Sequence, residues 1–187
     1  MWELEQNEVL RDCISRFERL AIPYMLTGSM AMVYWAMPRT TTDIDIVVEL
    51  TVEDAGDFID AFSLDYYIPQ DWVREAIRLR RMFNILNQNT IVKVDCIIRK
   101  DDDFHLNAFE RRLRVNYTGD LELWIITKED LILSKLDWAR DTHSELQMRD
   151  VVGILRNGYD IEYVDFWASR VGLADMLAEC RSLLRGE

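Results

Sequence analysis

Two aspartates lie two positions apart at the start of an aliphatic run, Asp43-Ile44-Asp45-Ile46-Val47-Val48. Side chains at positions i and i+2 of a β-strand point to the same face, so both carboxylates would project together while Ile44 enters the core. At a separation of about 4 Å they repel by about 1 kcal/mol in water and by about 4 kcal/mol at an effective dielectric constant near 20. A cation between them would remove this cost, and carboxylate oxygens favour Mg²⁺ or Mn²⁺. A solvent-exposed strand start would explain the pair equally well.

A third carboxylate, Asp95, lies inside a second aliphatic run, Ile91-Val92-Lys93-Val94-Asp95-Cys96-Ile97-Ile98. Aspartate is depleted in strands, so one among β-branched neighbours needs a partner or a function. Three convergent carboxylates can hold two metal ions, which activate an attacking oxygen and stabilise a leaving pyrophosphate. The three carboxylates together indicate a metal site more specifically than the pair or Asp95 does alone.

The dipeptide Gly28-Ser29 follows a predicted strand at residues 24–27 and precedes an apolar run, residues 30–37, that is typical of a buried helix. The unpaired N–H groups and positive end of such a helix attract anions. Gly28 would let the backbone approach a phosphate closely, and Ser29 could cap the helix or donate its hydroxyl. Taken alone, the dipeptide is more often a structural cap than a phosphate site.

In their order along the chain, these three motifs resemble the DNA polymerase β-like nucleotidyltransferase superfamily. The segment Pro38-Arg39-Thr40-Thr41-Thr42-Asp43-Ile44-Asp45 is similar to the signature of small members related to the AbiEii toxins of toxin–antitoxin systems. The resemblance covers about residues 24–98 and implies that Asp43, Asp45 and Asp95 bind the metals and carry catalysis. It also implies nucleotide binding by Gly28, Ser29 and Arg39. Many members have glycine a little before the arginine, whereas this chain has Trp35-Ala36-Met37-Pro38, which leaves the shape of the loop open.

A fainter resemblance extends to Lys135, which matches a lysine on a helix of AbiEii-like proteins and would bind the nucleotide. Its helical neighbours are mainly apolar, so its ammonium must either extend to the surface or find an anion such as a triphosphate. If Lys135 faces a triphosphate, replacing it by alanine is expected to weaken nucleotide binding and to leave the melting temperature nearly unchanged. An unchanged nucleotide affinity would indicate that the ammonium extends to the surface. Asp150 matches a later acid of the same proteins, or it simply forms an ion pair with Arg149, Arg140 or Lys135.

The elements that would position these residues follow the order α-β-α-β-α-α-β-β, then a small hairpin, then a helical tail. Helices are expected at residues 3–20, 30–37, 51–62, 71–80 and 127–140, with Gly158 and Gly172 breaking the remainder. We therefore predict an α/β (α+β) fold with a nucleotidyltransferase-type mixed sheet flanked by helices. Residues 1–126 would form the core, and residues 127–187 a C-terminal helical subdomain packed on it.

The net charge of −12 and the pI of about 4.6 argue against broad binding to nucleic acid, because that affinity comes from neutralising phosphates. Local arginine clusters at 78–81 or 111–114 could still line a cleft. Three distant cysteines, no Cys-x-x-Cys pair and only two histidines make a structural zinc site improbable. Without a signal-like N-terminus or an apolar run of membrane-spanning length, the expected location is the cytoplasm, with no membrane partner.

The leading hypothesis is thus a Mg²⁺-dependent nucleotidyltransferase that uses a nucleoside triphosphate. Its acceptor could be RNA, a protein or a small molecule such as an aminoglycoside. One alternative is a protein that binds nucleotide without turnover, such as a partner in a toxin–antitoxin pair. Another is an unrelated α/β scaffold in which the acids are structural, which the mid-strand Asp95 disfavours. The sequence does not indicate the base of the triphosphate or the oligomeric state.

Overall fold

The structure, a computed structural model, describes residues 2–36, 43–140 and 144–186. Its helices are α1 Trp2–Arg19, α2 Gly28–Trp35, α3 Ala55–Phe62, α4 Gln70–Leu79, α5 Asp103–Glu110, α6 Lys128–Ala139, α7 Glu145–Leu155, α8 Ile161–Arg170 and α9 Ala174–Arg185. Its strands are β1 Tyr24–Leu26, β2 Asp43–Val48, β3 Tyr66–Tyr67, β4 Met82–Asn87, β5 Lys93–Ile98, β6 Leu113–Thr118 and β7 Leu121–Ile125. Helices and strands alternate through the first two thirds of the chain, and the last third is helical.

The strands form a seven-stranded sheet in the order β3-β4-β5-β2-β1-β7-β6. Two neighbouring pairs, β2 with β5 and β1 with β7, are parallel, and the other pairs are antiparallel. The parallel β2–β5 pair lies near the centre of the sheet, with two strands on one side of it and three on the other. The mixed sheet flanked by helices that the sequence predicts is confirmed.

The two faces of the central strands differ in chemistry. In β2, Ile44, Ile46 and Val48 are fully buried, whereas the residues between them are partly accessible. The buried face packs on aromatic residues of α1 and α3, and the ring centroid of Phe58, on α3, lies 5.4 Å from that of Phe83, on β4, edge to face. Strand alternation therefore divides the sheet into an apolar face and a face that carries the acids.

The C-terminal helices begin where the sequence predicts. The Thr127 hydroxyl accepts a hydrogen bond from the Asp130 backbone N–H at 3.2 Å and caps α6. Gly158 lies between α7 and α8, and Gly172 between α8 and α9. Leu131 of α6 is buried in the same apolar core as the sheet residues. The predicted boundary at residues 126 and 127 thus falls between β7 and a helix that packs on the sheet.

Two elements were not predicted, namely β3 and α5. β3 has only two residues, too few to show an alternation. α5 follows three consecutive aspartates, which are typical of a loop, but Asp102 accepts a hydrogen bond from the His105 backbone N–H and caps the helix. Phe104, Ala108 and Phe109 then bury one of its faces. None of the helices that the structure describes is both long and apolar enough to cross a membrane.

Candidate active site

The turn between β1 and α2 brings the backbone into contact with an acid of β2. The Thr27 backbone N–H donates to the Asp45 carbonyl at 2.9 Å, which extends the pairing of β1 and β2. Gly28 has φ +64°, and a Cβ added there would lie 2.0 Å from Oδ2 of Asp45. Only glycine fits this position, because any side chain would displace the carboxylate. The Ser29 backbone N–H at the start of α2 donates a hydrogen bond to the same carboxylate.

The three predicted acids lie on the two central parallel strands. In the register of β2 and β5, Asp45 is opposite Asp95 and Asp43 is opposite Lys93. Odd-numbered residues of both strands point to the same face, so the three carboxylates project from adjacent positions. The Asn84 amide, on β4, donates to Oδ1 of Asp95 at 3.3 Å and fixes its orientation.

The Lys93 ammonium lies between two of the acids. Its Nζ is 3.0 Å from Oδ2 of Asp43 and 3.0 Å from Oδ2 of Asp95. Partial burial alone would lower the Lys93 pKa, but hydrogen bonds to Asp43 and then Asp95 leave it raised. Lys93 was not among the predicted site residues. Its spacing from Asp95 could have identified it, because Lys93 and Asp95 are two positions apart on a strand, as Asp43 and Asp45 are.

Asp45 has the least favourable surroundings for a charged carboxylate. Burial raises the pKa of Asp45 above its ordinary value, and the charges of Asp95 and Asp43 raise it further. The Ser29 hydrogen bond and the Lys135 charge lower this pKa without cancelling the increase. The site therefore holds more negative charge than its own cations balance.

Lys135 reaches this region from α6. Its side chain is only 4% exposed, and its Nζ lies 2.7 Å from Oδ2 of Asp150 and 3.2 Å from Oε1 of Gln147. Of the two possibilities in the sequence analysis, extension to the surface is wrong, and an anion, Asp150, holds the ammonium. Removing the lysine would leave Asp150 buried without this partner, so a loss of stability is expected in place of little change.

A cavity of about 350 Å³ joins these groups. Six of the seven predicted site residues line it, whereas Arg39 lies outside the described residues and is not placed. The sequence did not predict the contributions of Trp138 and Gln147. The lining residues are Thr27, Gly28, Ser29, Asp43, Asp45, Met82, Asp95, Ile97, Leu131, Ser134, Lys135, Trp138 and Gln147.

The donor chemistry of this cavity fits a hard divalent cation, since its charged oxygens are all carboxylate. Among the side chains that the structure describes, no three carboxylates, imidazoles or thiols lie close enough together to hold one ion. Asp43 and Asp95 instead share the Lys93 ammonium, which balances one of their two negative charges. Asp45 keeps an unbalanced charge, which a divalent cation would relieve. Metal binding by the three acids therefore stays a prediction.

Comparison with known proteins places the fold. No protein-family model matches the chain, and no curated protein matches it in sequence. Among solved structures, it is similar to an antigenic nucleotidyltransferase-like protein from Paracoccidioides brasiliensis, with a TM-score of 0.52 and 15% identity. That alignment covers 80% of this chain and 73% of the other.

A second similar structure is the antibiotic-resistance factor ANT(2'')-Ia. Its TM-score is 0.51 at 10% identity, and the alignment covers 100% of this chain and 94% of the other. At such low identity the likeness concerns the fold alone. The chain has the mixed α/β fold of nucleotidyltransferase-like proteins, with its acids in a cavity on the accessible face of the sheet.

Proposed function

We propose that this protein transfers a nucleotidyl group from a nucleoside triphosphate to a hydroxyl of an acceptor. The observation that carries the proposal is one cavity in which Asp43, Asp45 and Asp95 converge beside the Gly28-Ser29 helix start. The excess negative charge calls for a divalent cation, and the missing Cβ of Gly28 lets the Asp45 carboxylate lie directly against the backbone of the helix start. The similarity in fold to a nucleotidyltransferase-like protein supports the same activity.

In the proposed reaction, the acceptor oxygen forms a bond to the α-phosphorus while the bond from that phosphorus to the bridging oxygen breaks. Pyrophosphate leaves with the electron pair of the broken bond, and the acceptor proton passes to the Asp95 carboxylate and then to solvent. Mg²⁺ or Mn²⁺ held by the three acids would supply neutralisation of the charge on the phosphates. Gly28, Ser29, Arg39 and Lys135 are proposed to hold the nucleotide.

A second function is favoured by the Lys93 bridge. An ammonium that bridges Asp43 and Asp95 reduces their repulsion without a metal ion, as a protein that binds nucleotide without turnover would need. The similarity of residues 38–45 to AbiEii-related proteins supports a partner in a toxin–antitoxin pair. A role in such a pair and a cytoplasmic location are proposals from the sequence.

One experiment distinguishes the two functions. The protein is incubated with each of the four labelled nucleoside triphosphates, Mg²⁺ and a cell lysate as the source of acceptors, and transfer of the label is measured. We expect transfer of label by the wild type and none by Asp45→Asn, which keeps the shape of the side chain and removes its charge. Asp60→Asn, an exposed acid on α3, is the matched control and should retain transfer. A melting temperature that rises with nucleotide and Mg²⁺ in the absence of any transfer would favour the binding protein.

A further inference from the structure

Trp138 lines the cavity of the acids and is nevertheless 58% exposed, so it lies at the rim of that cavity. Other tryptophans are held by polar or aromatic contacts. Trp35 donates to the Ile126 carbonyl at 2.8 Å, and the ring centroid of Trp167 lies 5.5 Å from that of Phe104. Within the described parts of the chain, the Trp138 indole makes no hydrogen bond, ring contact or cation–π contact. Its aromatic faces are therefore available to a ligand of the cavity.

The spacing of residues along α6 explains why Trp138 reaches this cavity. Four residues of the helix, at positions i, i+3, i+4 and i+7, share one of its faces and line the cavity, namely Leu131, Ser134, Lys135 and Trp138. Trp138 lies one turn beyond Ser134 and Lys135, toward the C-terminus of the helix. The helix thus presents first a cation and then an aromatic ring to the same cavity.

The sheet side of the cavity changes from acidic to apolar over one step along the strands. In the register of β2, β5 and β4, Asp45 lies beside Asp95, and Ile97 lies beside Met82. Ile97 is two residues beyond Asp95, so it is on the same face of the sheet and about 7 Å away. Met82 and Ile97 are partly accessible, and both line the cavity together with Trp138. The cavity therefore has an apolar end, which begins directly beside the acids.

The phosphate end of the cavity lies on the other side of the acids. β1 runs antiparallel to β2, from Met25 beside Val47 to the Thr27 N–H that bonds to the Asp45 carbonyl. The chain therefore reaches Gly28 on the side of Asp45 away from the apolar end. In a nucleoside triphosphate the ribose separates the base from the phosphates. With the phosphates at the acids and at the helix start, the base would lie at the apolar end.

We infer that Trp138 stacks on the base of the nucleoside triphosphate, and that Met82 and Ile97 contact the other face of the base. The inference rests on the proposed nucleotidyl transfer and identifies the part of the site that holds the base. Every base has a π-face, so stacking on an indole does not distinguish one base from another. The cavity volume of about 350 Å³ is within the range of small-molecule sites.

The apolar end offers little that could read the edge of a base. Its Ser134 hydroxyl both donates and accepts, so it can pair with any base. Two of the cations that line an adjoining cavity of about 400 Å³ are held in ion pairs, Arg80 with Asp101 at 2.6 Å and Arg99 with Glu49 at 2.8 Å. All four nucleoside triphosphates should therefore bind, and purines should bind more tightly than pyrimidines because they cover more of the indole.

The test measures dissociation constants by calorimetry on the full chain in the presence of Mg²⁺. The ligands are the α,β-methylene analogues of ATP, GTP, CTP and UTP, whose α–β bridge the proposed transfer cannot break. Ribose 5-triphosphate, which lacks the base, is the fifth ligand. The wild type should bind the four analogues within about tenfold of one another, with the two purine analogues bound more tightly.

Trp138→Ala should weaken the binding of each analogue about tenfold and leave the affinity for ribose 5-triphosphate unchanged. Trp138→Phe keeps an aromatic ring and should retain most of the affinity. Trp72→Ala is the matched control, because Trp72 is 40% exposed on α4 and lines neither cavity, and it should bind all five ligands as the wild type does. The exposed position of Trp138 predicts that both of its variants melt close to the wild type.

Unchanged binding of all four analogues by Trp138→Ala would overturn the inference. So would a wild type that binds one analogue more than about a hundredfold more tightly than the others, since such selectivity requires hydrogen bonds to the edge of that base. If the analogues bind as expected but no label is transferred to any acceptor, the base site remains and the proposed nucleotidyl transfer fails. If neither the analogues nor ribose 5-triphosphate bind, both proposals fail.

Discussion

Gly28 shows how closely a single residue constrains the acids. It combines a positive φ with a position where a Cβ would overlap Asp45. Gly28→Ala should therefore lower the free energy of unfolding by more than the roughly 1–2 kcal/mol that left-handed backbone costs an L-residue. Gly119→Ala is the matched control, because Gly119 has φ +56° but no atom lies within 4 Å of the point that its added methyl group would occupy. Chemical denaturation of both variants separates backbone strain from displacement of Asp45, and equal losses would contradict the assigned overlap.

Asp45 itself should destabilise the metal-free protein at neutral pH. A carboxyl whose pKa is raised on folding favours the folded state while protonated, and this contribution is lost as the pH rises through the folded-state pKa. Asp45→Asn, measured in EDTA, should therefore melt at a higher temperature than the wild type at pH 7. The difference should shrink as the pH falls through the raised folded-state pKa of Asp45, and it should be absent below the ordinary pKa of aspartate. A lower melting temperature for the variant at pH 7 would show that Asp45 is a structural ion-pair member.

Lys93 should compete with metal for Asp43 and Asp95. In Lys93→Met the stem is kept and the charge removed, so a divalent ion no longer has to displace an ammonium. One unit charge at about 4 Å is worth about 1–4 kcal/mol, so Mn²⁺ should bind about tenfold more tightly or better. Electron paramagnetic resonance of free Mn²⁺ measures this without any turnover. Lys128→Met, at a lysine that does not line the cavity of the acids, should bind Mn²⁺ as the wild type does, and an unchanged affinity in Lys93→Met would contradict the competition.

The sequence predicted those site residues that stand out from the pattern of their own strand. Asp43 and Asp45 share a face because strands alternate, and Asp95 stood out because its neighbours are aliphatic. The Lys93 bridge could not be placed without the register of β2 against β5, which the sequence alone does not fix.

Among the elements, α6 and α7 are joined by the buried Lys135–Asp150 pair. Breaking a buried pair by removing one partner typically costs about 3–5 kcal/mol, because the remaining charge is left without compensation. Lys135→Met should therefore lower the free energy of unfolding by an amount in this range. The double variant Lys135→Met/Asp150→Leu should recover much of the loss. Urea denaturation of the two single variants and the double variant gives the coupling energy, and simple additivity of the single effects would contradict it.

Elements with a long, regular apolar pattern were predicted within a few residues. The helix predicted at residues 3–20 is α1, Trp2–Arg19, and the one predicted at residues 127–140 is α6, Lys128–Ala139. Short elements that are stabilised by their surroundings were not found. β3 exists because it pairs with β4, and α5 because one aspartate caps it and its phenylalanines fit the core.

For the whole molecule, the core continues from the sheet into the C-terminal helices. Leu131, Val151 and Leu177 belong to the same buried cluster as Ile44 and Val94. Thermal unfolding should therefore be a single transition, with coincident curves from far-UV and near-UV circular dichroism. A fragment of residues 1–126 would expose the surface that α6 covers, and it should not unfold cooperatively. Two separated transitions in the full chain would instead establish residues 127–187 as an independent unit.

The pairing of β2 with β5 has a consequence for how this site can change over generations. Strand register shifts only in whole residues, so the arrangement of Asp45 beside Asp95 is discrete rather than adjustable. A slip of one residue would turn Ile44 toward the cavity and bury the acids, and a slip of two would move them by about 7 Å. Gradual adaptation to a new acceptor is therefore open to the residues of α6 that line the cavity, whereas the register of the two strands must be kept for the acids to stay together.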